Sequence, residues 1–355
     1  MNRYLSSAIR LTVGAALVLS AASTMAGAYK DPLDVPALQS ARAPISPMMG
    51  VASVGNRIVA VGSHGQVVYS TDRGQHWNQA PMQVSSDLTA VKFIDENNGW
   101  AVGHGGVVLH TADGGQTWSK QLDGRQAGAA ALKIYQDKAK DEPAMKDYAD
   151  KEKIHQDEGG TLALLDVYFK DAKEGFVIGA FNRLYHTVDG GQTWQPWMDH
   201  IENNDELHLY SIHGQGGNIY LTGEQGTIWH YNAGASKFEA IHTPYKGTLF
   251  GLVTDGSNMI AYGMRGALYR STDNGVSWDR IDIESNAGIT GGTVTPDGRI
   301  FIVLQDGTIR MSVDHGATFA RIKSKQPMAF YSVTSDENSN VIFVGSDGVR
   351  AETFK

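Results

Sequence analysis

The sequence predicts an all-β fold, a seven-bladed β-propeller of four-stranded blades, on three observations. A motif of the form Ser/Thr-x-Asp-x-Gly-x-x-aromatic occurs five times, and a glycine-rich turn pattern occurs seven times. The spacing between these units is close to the roughly 40–45 residues of one propeller blade. Glycine accounts for 41 of the 355 residues, an excess typical of many short strands joined by tight turns.

The first repeated motif is the Asp-box, also called the BNR repeat, and residues 111–118 (TADGGQTW) show it clearly. Its Asp can accept backbone N–H bonds across a turn, its Gly permits positive φ, and its aromatic side chain can pack beneath a strand. Each box offers only one carboxylate, which favours a structural role over metal binding. A sixth copy, residues 231–238, has Ala233 in place of Asp and is interpreted as decayed. The predicted structural box residues are Asp72, Trp77, Asp113, Trp118, Asp189, Trp194, Asp273, Trp278, Asp314 and Phe319.

The second repeated motif is a short turn such as residues 102–106 (VGHGG). The second residues of the seven turns are at positions 62, 103, 179, 223, 263, 304 and 345, so the spacings are 41, 76, 44, 40, 41 and 41. Within a blade we expect this turn to join strands two and three, and the Asp-box to join strands three and four. The propeller is therefore predicted to occupy residues 46–355.

The long spacing of 76 predicts an insertion at residues 124–160, between blades two and three. Segments 127–140 and 143–156 are interpreted as two helices, since Ala, Lys and Asp dominate and Pro143 suits a helix start. Two interpretations remain open: a helical hairpin packed on itself, or a lid or docking element.

The beginning of the chain has the features of a secretory signal peptide, predicted to be cleaved near Ala28. Arg3 and Arg10 precede a short apolar run that ends in small residues. We therefore expect a periplasmic or secreted protein with no membrane span after cleavage. Removing residues 1–28 takes away these two arginines and no acid, leaving 28 basic and 38 acidic side chains and a net charge of −10. This charge argues against nucleic acid as a partner.

The Pro-rich arm that follows, residues 29–45, is predicted to close the ring as an outer strand. The seventh unit ends soon after its third strand, and an open sheet edge would leave backbone groups unpaired.

The repeats of this chain resemble those of the photosystem II stability and assembly factor family of cyanobacteria and plastids. Residues 98–103 (NGWAVG) and 107–118 (VVLHTADGGQTW) carry the resemblance, which extends over residues 46–355 apart from the insertion. It implies a seven-bladed Asp-box propeller on the lumenal or periplasmic side of a membrane, which binds new membrane-protein subunits during assembly. Bacteria that do not photosynthesise also carry such proteins, so the expected partner is a membrane-protein client of unspecified identity. The resemblance also implies an arginine-rich binding surface.

The turns between strands two and three share one face of a propeller with the loops that connect blades, and this face is the predicted binding surface. Mixed charges and imidazoles there suit recognition of a polypeptide, although any one of these residues taken alone is better explained as a solvated turn residue. Acidic residues stand at several of these turns, which departs from an arginine-rich surface. The candidate partner-binding residues are His64, His104, Arg183, Glu224, Arg265, Asp306 and Asp347.

Catalysis is not expected, and neither a cofactor nor a metal site is predicted. The alternative is an Asp-box glycoside hydrolase, related to sialidases or glucanases, or a glycan-binding propeller that uses its central channel. A sialidase needs an arginine triad and usually carries a Phe/Tyr-Arg-Ile-Pro motif, whereas here the Arg299-Ile300 and Arg321-Ile322 pairs lack the proline. A monomer is the expected oligomeric state.

Overall fold

The computed structural model describes residues 30–354, and this range forms seven antiparallel sheets in chain order, which confirms the predicted propeller. The predicted signal peptide lies outside the described residues. Six sheets have four strands and the seventh has three. Blades one to three comprise β1 (Met48–Val54), β2 (Arg57–Gly62), β3 (Val67–Ser70), β4 (Asn78–Gln79), β5 (Leu88–Phe93), β6 (Gly99–Gly103), β7 (Val108–Thr111), β8 (Ser119–Leu122), β9 (Leu164–Phe169), β10 (Gly175–Gly179), β11 (Leu184–Thr187) and β12 (Gln195–Pro196).

The remaining four blades repeat the same up-and-down order. They comprise β13 (Leu209–Gln215), β14 (Asn218–Gly223), β15 (Thr227–Asn232), β16 (Lys237–His242), β17 (Leu249–Asp255), β18 (Asn258–Gly263), β19 (Leu268–Ser271), β20 (Asp279–Arg280), β21 (Ile289–Val294), β22 (Ile300–Leu304), β23 (Ile309–Ser312), β24 (Ala320–Ile322), β25 (Phe330–Ser335), β26 (Val341–Gly345) and β27 (Gly348–Glu352).

The hydrophobic core lies between neighbouring blades. Strands β6, β10, β22 and β26 are buried along their whole length, which explains why the second strand of a blade is a continuous apolar run and does not alternate. At the interface of blades two and three, the rings of Trp100 and Phe169 stack with their centroids 3.5 Å apart. Each blade therefore buries its apolar side chains against the next one around the ring.

In six of the seven blades a glycine opens the turn between strands two and three, and a close backbone approach requires it; blade six has Leu304 there. A Cβ on Gly103 would lie 2.1 Å from the carbonyl oxygen of Asp87, the residue that precedes strand β5. The next residue, His104, bonds to the same group, because its N–H donates to the Asp87 backbone carbonyl over 2.8 Å. The turn is thereby fastened to the loop that enters its own blade.

Two helices form the insertion between blades two and three, α1 (Gly124–Lys138) and α2 (Met145–Asp157), which confirms the predicted helical insertion. Helix α1 begins three residues earlier than predicted because the Asp123 carboxylate accepts the N–H of Arg125 and caps it. None of the helices within residues 30–354 is long and apolar enough to cross a membrane.

The N-terminal arm does not form the predicted closing strand, because residues 30–45 contain two short 3-10 turns and no strand. The backbone of the arm is instead hydrogen-bonded to the loop between blades one and two. The Ser85 N–H donates to the Pro32 carbonyl, and the Ala37 N–H donates to the Met82 carbonyl. Prolines in this segment have no N–H to give to a sheet ladder. The ring is closed by side-by-side packing of blades one and seven, with Met48, Val51, Ile342 and Val344 in one apolar cluster that Ala43 of the arm joins.

Candidate partner-binding face

The two ends of the propeller are built from different connections, and we name them accordingly. The insertion face carries the turns between strands two and three, the loops between blades, and helices α1 and α2. The box face carries the Asp-boxes and the turns between strands one and two. Function was predicted for the insertion face and a structural role for the box face.

Each Asp-box is a closed set of hydrogen bonds, as the box of blade two shows. The Thr111 hydroxyl donates to Asp113 Oδ1 over 2.8 Å and accepts the N–H of Gly115 over 2.9 Å. Asp113 Oδ1 also accepts the Thr117 N–H over 2.9 Å, and the Trp118 indole N–H donates to the Gly115 carbonyl over 3.1 Å. The hydroxyl-to-carboxylate bond recurs at Asp72, Asp189, Asp273 and Asp314.

Hydrogen bonding keeps the box carboxylates ionised. Donation from the Ser277 hydroxyl and backbone lowers the pKa of Asp273 to about 2. Donation from the Thr318 hydroxyl and backbone does the same for Asp314, whose pKa is also about 2. These oxygens are occupied by the protein's own donors, as expected of a structural element.

The helical insertion is fixed at its start by a cluster of charges around the buried carboxylate of Asp123. Arg125 bonds Asp34 of the arm through both terminal nitrogens, over 2.8 and 2.9 Å, and also contacts Asp123 over 2.8 Å. Lys120 bonds the same Asp123 over 3.0 Å. Burial acts to raise the pKa of Asp123, but hydrogen bonds from Arg125 and Lys120 outweigh it and lower the pKa to about 2. The arm, blade two and α1 are thus joined at one point.

A second anchor holds the other end of α1 against the loop after blade three. The buried Tyr135 hydroxyl donates to Asp199 Oδ1 over 2.9 Å, and Lys138 bonds Asp199 Oδ2 over 2.7 Å. Burial raises the pKa of Tyr135, so its hydroxyl stays protonated and remains a donor. The Tyr135 ring stacks on Tyr148 of α2 with centroids 5.2 Å apart. The hairpin is therefore packed on itself and also on the propeller.

Arg183 is buried, with 4% of its surface exposed, so the structure corrects its predicted place on an accessible surface. Its Nη1 bonds the Glu152 carboxylate of α2, which is itself only 2% exposed. The turn of blade three lies under the insertion, and Arg183 therefore holds α2 in place and cannot reach a partner.

The other predicted residues do lie on the insertion face. His64, His104, Arg265, Asp306 and Asp347 are exposed at their turns. Glu224 is partly buried, and its Oε2 accepts the His208 N–H over 2.9 Å. Within residues 30–354, no group of three or more His, Cys, Asp or Glu side chains is arranged to hold a metal ion.

A ring of residues at the mouth of the central channel was missed by sequence analysis. The first strand of every blade has an irregular register at the same place, and each irregularity projects one side chain towards the channel. This channel-mouth ring consists of Met49, Thr89, Leu165, Tyr210, Phe250, Thr290 and Tyr331.

The channel below this ring is a cavity of about 460 Å³ with polar groups in its wall. His213 Nε2 lies 2.8 Å from the Thr254 hydroxyl, and burial, aided by Lys92, lowers the pKa of His213 to about 4. The Asp166 carboxylate accepts the Val167 and Ile212 N–H groups over 2.9 and 3.0 Å, and thereby links blades three and four.

Apolar side chains that remain exposed differ between the two faces. Ile154, Phe181, Met264 and Tyr331 lie on the insertion face, with 56, 43, 41 and 37% of their surfaces exposed. The box face exposes only valines among its large apolar residues within the described chain, namely Val188, Val276 and Val313. Aromatic side chains and methionine are typical of protein interfaces.

Comparison with known proteins identifies the family. The family model described as Photosynthesis system II assembly factor YCF48 matches residues 11–110, 54–142 and 153–292. The chain belongs to this family.

Two curated relatives of this YCF48-family chain are cyanobacterial. Photosystem II assembly lipoprotein Ycf48 of Synechococcus sp. (strain CC9902) is 26% identical over 118 residues, which cover 32% of this chain and 35% of the relative. Photosystem II assembly protein Ycf48 of Thermosynechococcus vestitus (strain NIES-2133 / IAM M-273 / BP-1) is 24% identical over 162 residues, which cover 44% and 46%. The matched segments therefore span less than half of either relative.

Solved structures show the same fold. A structure described as YCF48 bound to D1 peptide superposes with a TM-score of 0.65 at 17% identity and covers 90% of this chain and 100% of that one. YCF48 from Cyanidioschyzon merolae gives a TM-score of 0.65 at 16% identity, covering 86% and 95%.

This YCF48-family propeller departs from the arginine-rich surface that the resemblance implies. Of the two arginines predicted for the insertion face, Arg183 is buried against Glu152 and only Arg265 is exposed. Exposed Asp306 and Asp347 occupy the corresponding turns of blades six and seven. The charge presented to a partner is therefore mixed.

Proposed function

We propose that this protein is a non-catalytic scaffold of the periplasm, or secreted, that aids assembly or function of a membrane-protein complex or transporter. The client binds the insertion face, which includes helices α1 and α2. The location rests on the predicted signal peptide of residues 1–28.

The observation that carries this proposal is the difference between the two faces. Box-face carboxylates such as Asp113 are occupied by internal donors. The insertion face instead leaves Phe181 exposed beside the anchored hairpin and Met264 and Tyr331 exposed on other blades. Leaving aromatic side chains in water costs free energy that a bound partner can recover by burying them.

The names of the relatives point in the same direction. Both curated relatives are described as photosystem II assembly proteins, and one solved relative is described as bound to a peptide. A propeller of this fold can therefore hold a polypeptide client.

The composition of the channel favours binding over glycoside hydrolysis. Hydrolysis needs two carboxyl groups on either side of the scissile bond. Among the described residues that line the channel, Asp166 alone has a carboxyl side chain, and both of its oxygens accept backbone N–H groups.

Site-specific photocrosslinking in the native host tests the proposal. p-Benzoylphenylalanine placed at Phe181 or Met264 should give adducts that mass spectrometry identifies as an integral membrane protein. The same probe at Val276, which is 86% exposed on the box face, is the matched control and should give none. Adducts absent from both insertion-face positions, or equally abundant from Val276, would refute the proposed function.

A further inference from the structure

Five aromatic rings form a continuous path across the insertion face, from helix α2 to the channel mouth. The centroids of His155 and Phe181 are 6.1 Å apart, those of Phe181 and His208 4.5 Å, and those of His208 and Tyr210 6.1 Å. Tyr210 and Phe250 complete the path at 5.4 Å. We name these five residues the aromatic track. At roughly 3.3 Å per residue, the path through its four steps corresponds to at most about seven residues of extended chain.

The inner end of the track opens into the channel. Tyr210 and Phe250 belong to the channel-mouth ring and line the cavity of about 460 Å³. If a partner segment lies along the track, one of its side chains can enter the channel at that end. The channel entrance is lined there by the two aromatic rings.

The outer part of the track contains a residue held in an unfavourable conformation. Phe181 has a φ of 52°, in the left-handed region that costs a residue with a Cβ about 1 kcal/mol or more. The next residue fixes this turn, because Asn182 donates its backbone N–H to Leu207 and its side-chain amide to Met198. His64, Gln225 and Arg265 adopt the same conformation at this turn position in blades one, four and five, so the backbone is a property of the turn. What distinguishes blade three is that the residue there is an exposed phenylalanine.

Carboxylates border the hairpin side of the track. Glu206 and Glu158 act electrostatically on the His155 ring, and Glu224 acts on the Tyr210 hydroxyl. Burial and then Arg183 lower the pKa of His155, so the imidazole adds no positive charge at neutral pH.

The nearby cations on this side are already paired. Arg183 is bound to Glu152, and Lys151 lies 2.9 Å from Asp147 and 3.6 Å from Glu206. The exposed cations Lys246 and Arg265 belong to the loop before blade five and to its turn, at the Phe250 end. The carboxylates are less fully engaged, because Glu206 meets Lys151 only over 3.6 Å, Glu224 is bonded to His208 through Oε2 alone, and Glu158 forms no ion pair among the described residues. The hairpin side therefore retains negative charge for a positively charged partner.

We propose that the aromatic track binds an extended, basic–aromatic segment of the client, an inference that rests on the proposed function for the existence of a client. Lys or Arg side chains of the segment lie beside Glu206 and Glu224, and its aromatic or apolar side chains stack on Phe181 and Tyr210. Such a segment is the electrostatic opposite of one that an arginine-rich surface would select.

Fluorescence anisotropy of the purified mature protein with labelled ten-residue peptides tests this directly. The probe alternates Phe and Arg with Gly-Ser spacers, and two matched peptides replace Arg by Glu or Phe by Ala. The basic–aromatic peptide should bind most tightly. Phe181→Ala and Tyr210→Ala should each weaken it by up to roughly tenfold, the upper end of what one aromatic contact contributes.

Two box-face variants serve as controls. Val276→Ala removes an exposed apolar side chain, and Glu337→Gln removes an exposed carboxylate that matches Glu206→Gln. Neither control should change the affinity, whereas Glu206→Gln should weaken binding and reduce its salt dependence. Unchanged melting temperatures will show that every variant is folded.

Tight binding of the acidic peptide, no binding of the basic–aromatic one, or affinities unaffected by Phe181→Ala and Tyr210→Ala would overturn this inference. Insertion-face crosslinks to a membrane protein without peptide binding would leave the proposed function standing and reject the aromatic track alone. Peptide binding without crosslinks would support the track and reject the membrane-protein client.

Discussion

The box face and the insertion face are built by the same seven-fold repetition, yet they differ in how much the repeats resemble one another. Five boxes repeat one hydroxyl–carboxylate bond, from Ser70–Asp72 to Ser312–Asp314. On the insertion face of the described chain, a helical hairpin occurs only before blade three, and only the turn of blade three exposes a phenylalanine. The box face, which repeats uniformly, therefore serves as the scaffold. The insertion face, where the blades differ from one another, is the surface that can distinguish partners. Four changes test this division, beginning with the largest expected effect.

Arg183→Ala should cause the largest loss of stability, because the buried Arg183–Glu152 ion pair holds α2 on the propeller. It leaves the Glu152 carboxylate buried without its partner, a change that typically costs about 3–5 kcal/mol in unfolding free energy. Urea denaturation measures the loss, and limited proteolysis should show cleavage within residues 124–160. The double variant Arg183→Met with Glu152→Gln should recover much of the stability. Equal stability of the single and double variants would contradict the assignment.

Asp113→Ala should destabilise the box face without affecting binding. Thr111, Gln116 and Thr117 all donate to this carboxylate, and a lost hydrogen-bonded group costs about 1–2 kcal/mol, since water can reach part of the site. Thermal melting measures the loss. Affinity for the basic–aromatic peptide should stay unchanged, and a weakened affinity would break the separation between the faces.

The box carboxylates should also contribute to acid stability. The folded pKa of Asp273 and of Asp314, about 2, lies below the value of about 3.9 for an unfolded Asp. Their contribution is therefore complete above pH 4 and is lost as the pH falls towards 2. Asp273→Asn should flatten the fall in stability over this window, as measured by urea midpoints at each pH. An unchanged profile would show that the bonds do not persist in solution.

Phe181→Asn should have the smallest effect on stability and the opposite sign. Asn tolerates the left-handed conformation better, so unfolding free energy should rise by about 0.5–1 kcal/mol while peptide affinity falls. Melting temperature and anisotropy, measured on the same preparation, check both parts. A fall in both quantities would mean that the ring stabilises the fold and is not reserved for a partner.

Sequence analysis located the blades because the repeats fix them independently of one another. The turn at Gly103 needs a glycine for a steric reason that recurs around the ring, and the box at Asp113 satisfies its bonds within eight residues. Because these requirements involve residues close together in the chain, a single sequence shows them. The fold, the box turns and the insertion could therefore be predicted from the sequence.

The errors concern contacts between distant segments. Nothing local in the turn of blade three shows that α2 covers Arg183, and the prolines of the arm do not show where residues 30–45 lie. The channel-mouth ring had a signal that was overlooked. In every blade the first strand contains a large apolar residue, a variable one and then a smaller or short polar one, as in residues 209–211 (LYS). The variable residue is the one that belongs to the channel-mouth ring.

Closure by blades one and seven has a mechanical consequence. Within residues 30–354 each sheet is made of consecutive strands, so no strand passes across the junction of β1 with β25 and β26. The molecule has the connectivity of a linear array bent until its ends meet, in which each unit interacts with its neighbours. Opening this seam breaks side-chain packing, including that of Met48 and Ile342, and the Arg73–Glu337 ion pair, but cuts no backbone ladder. The first opening of the ring under force or denaturant should therefore occur at this junction, opposite the blades that carry the aromatic track.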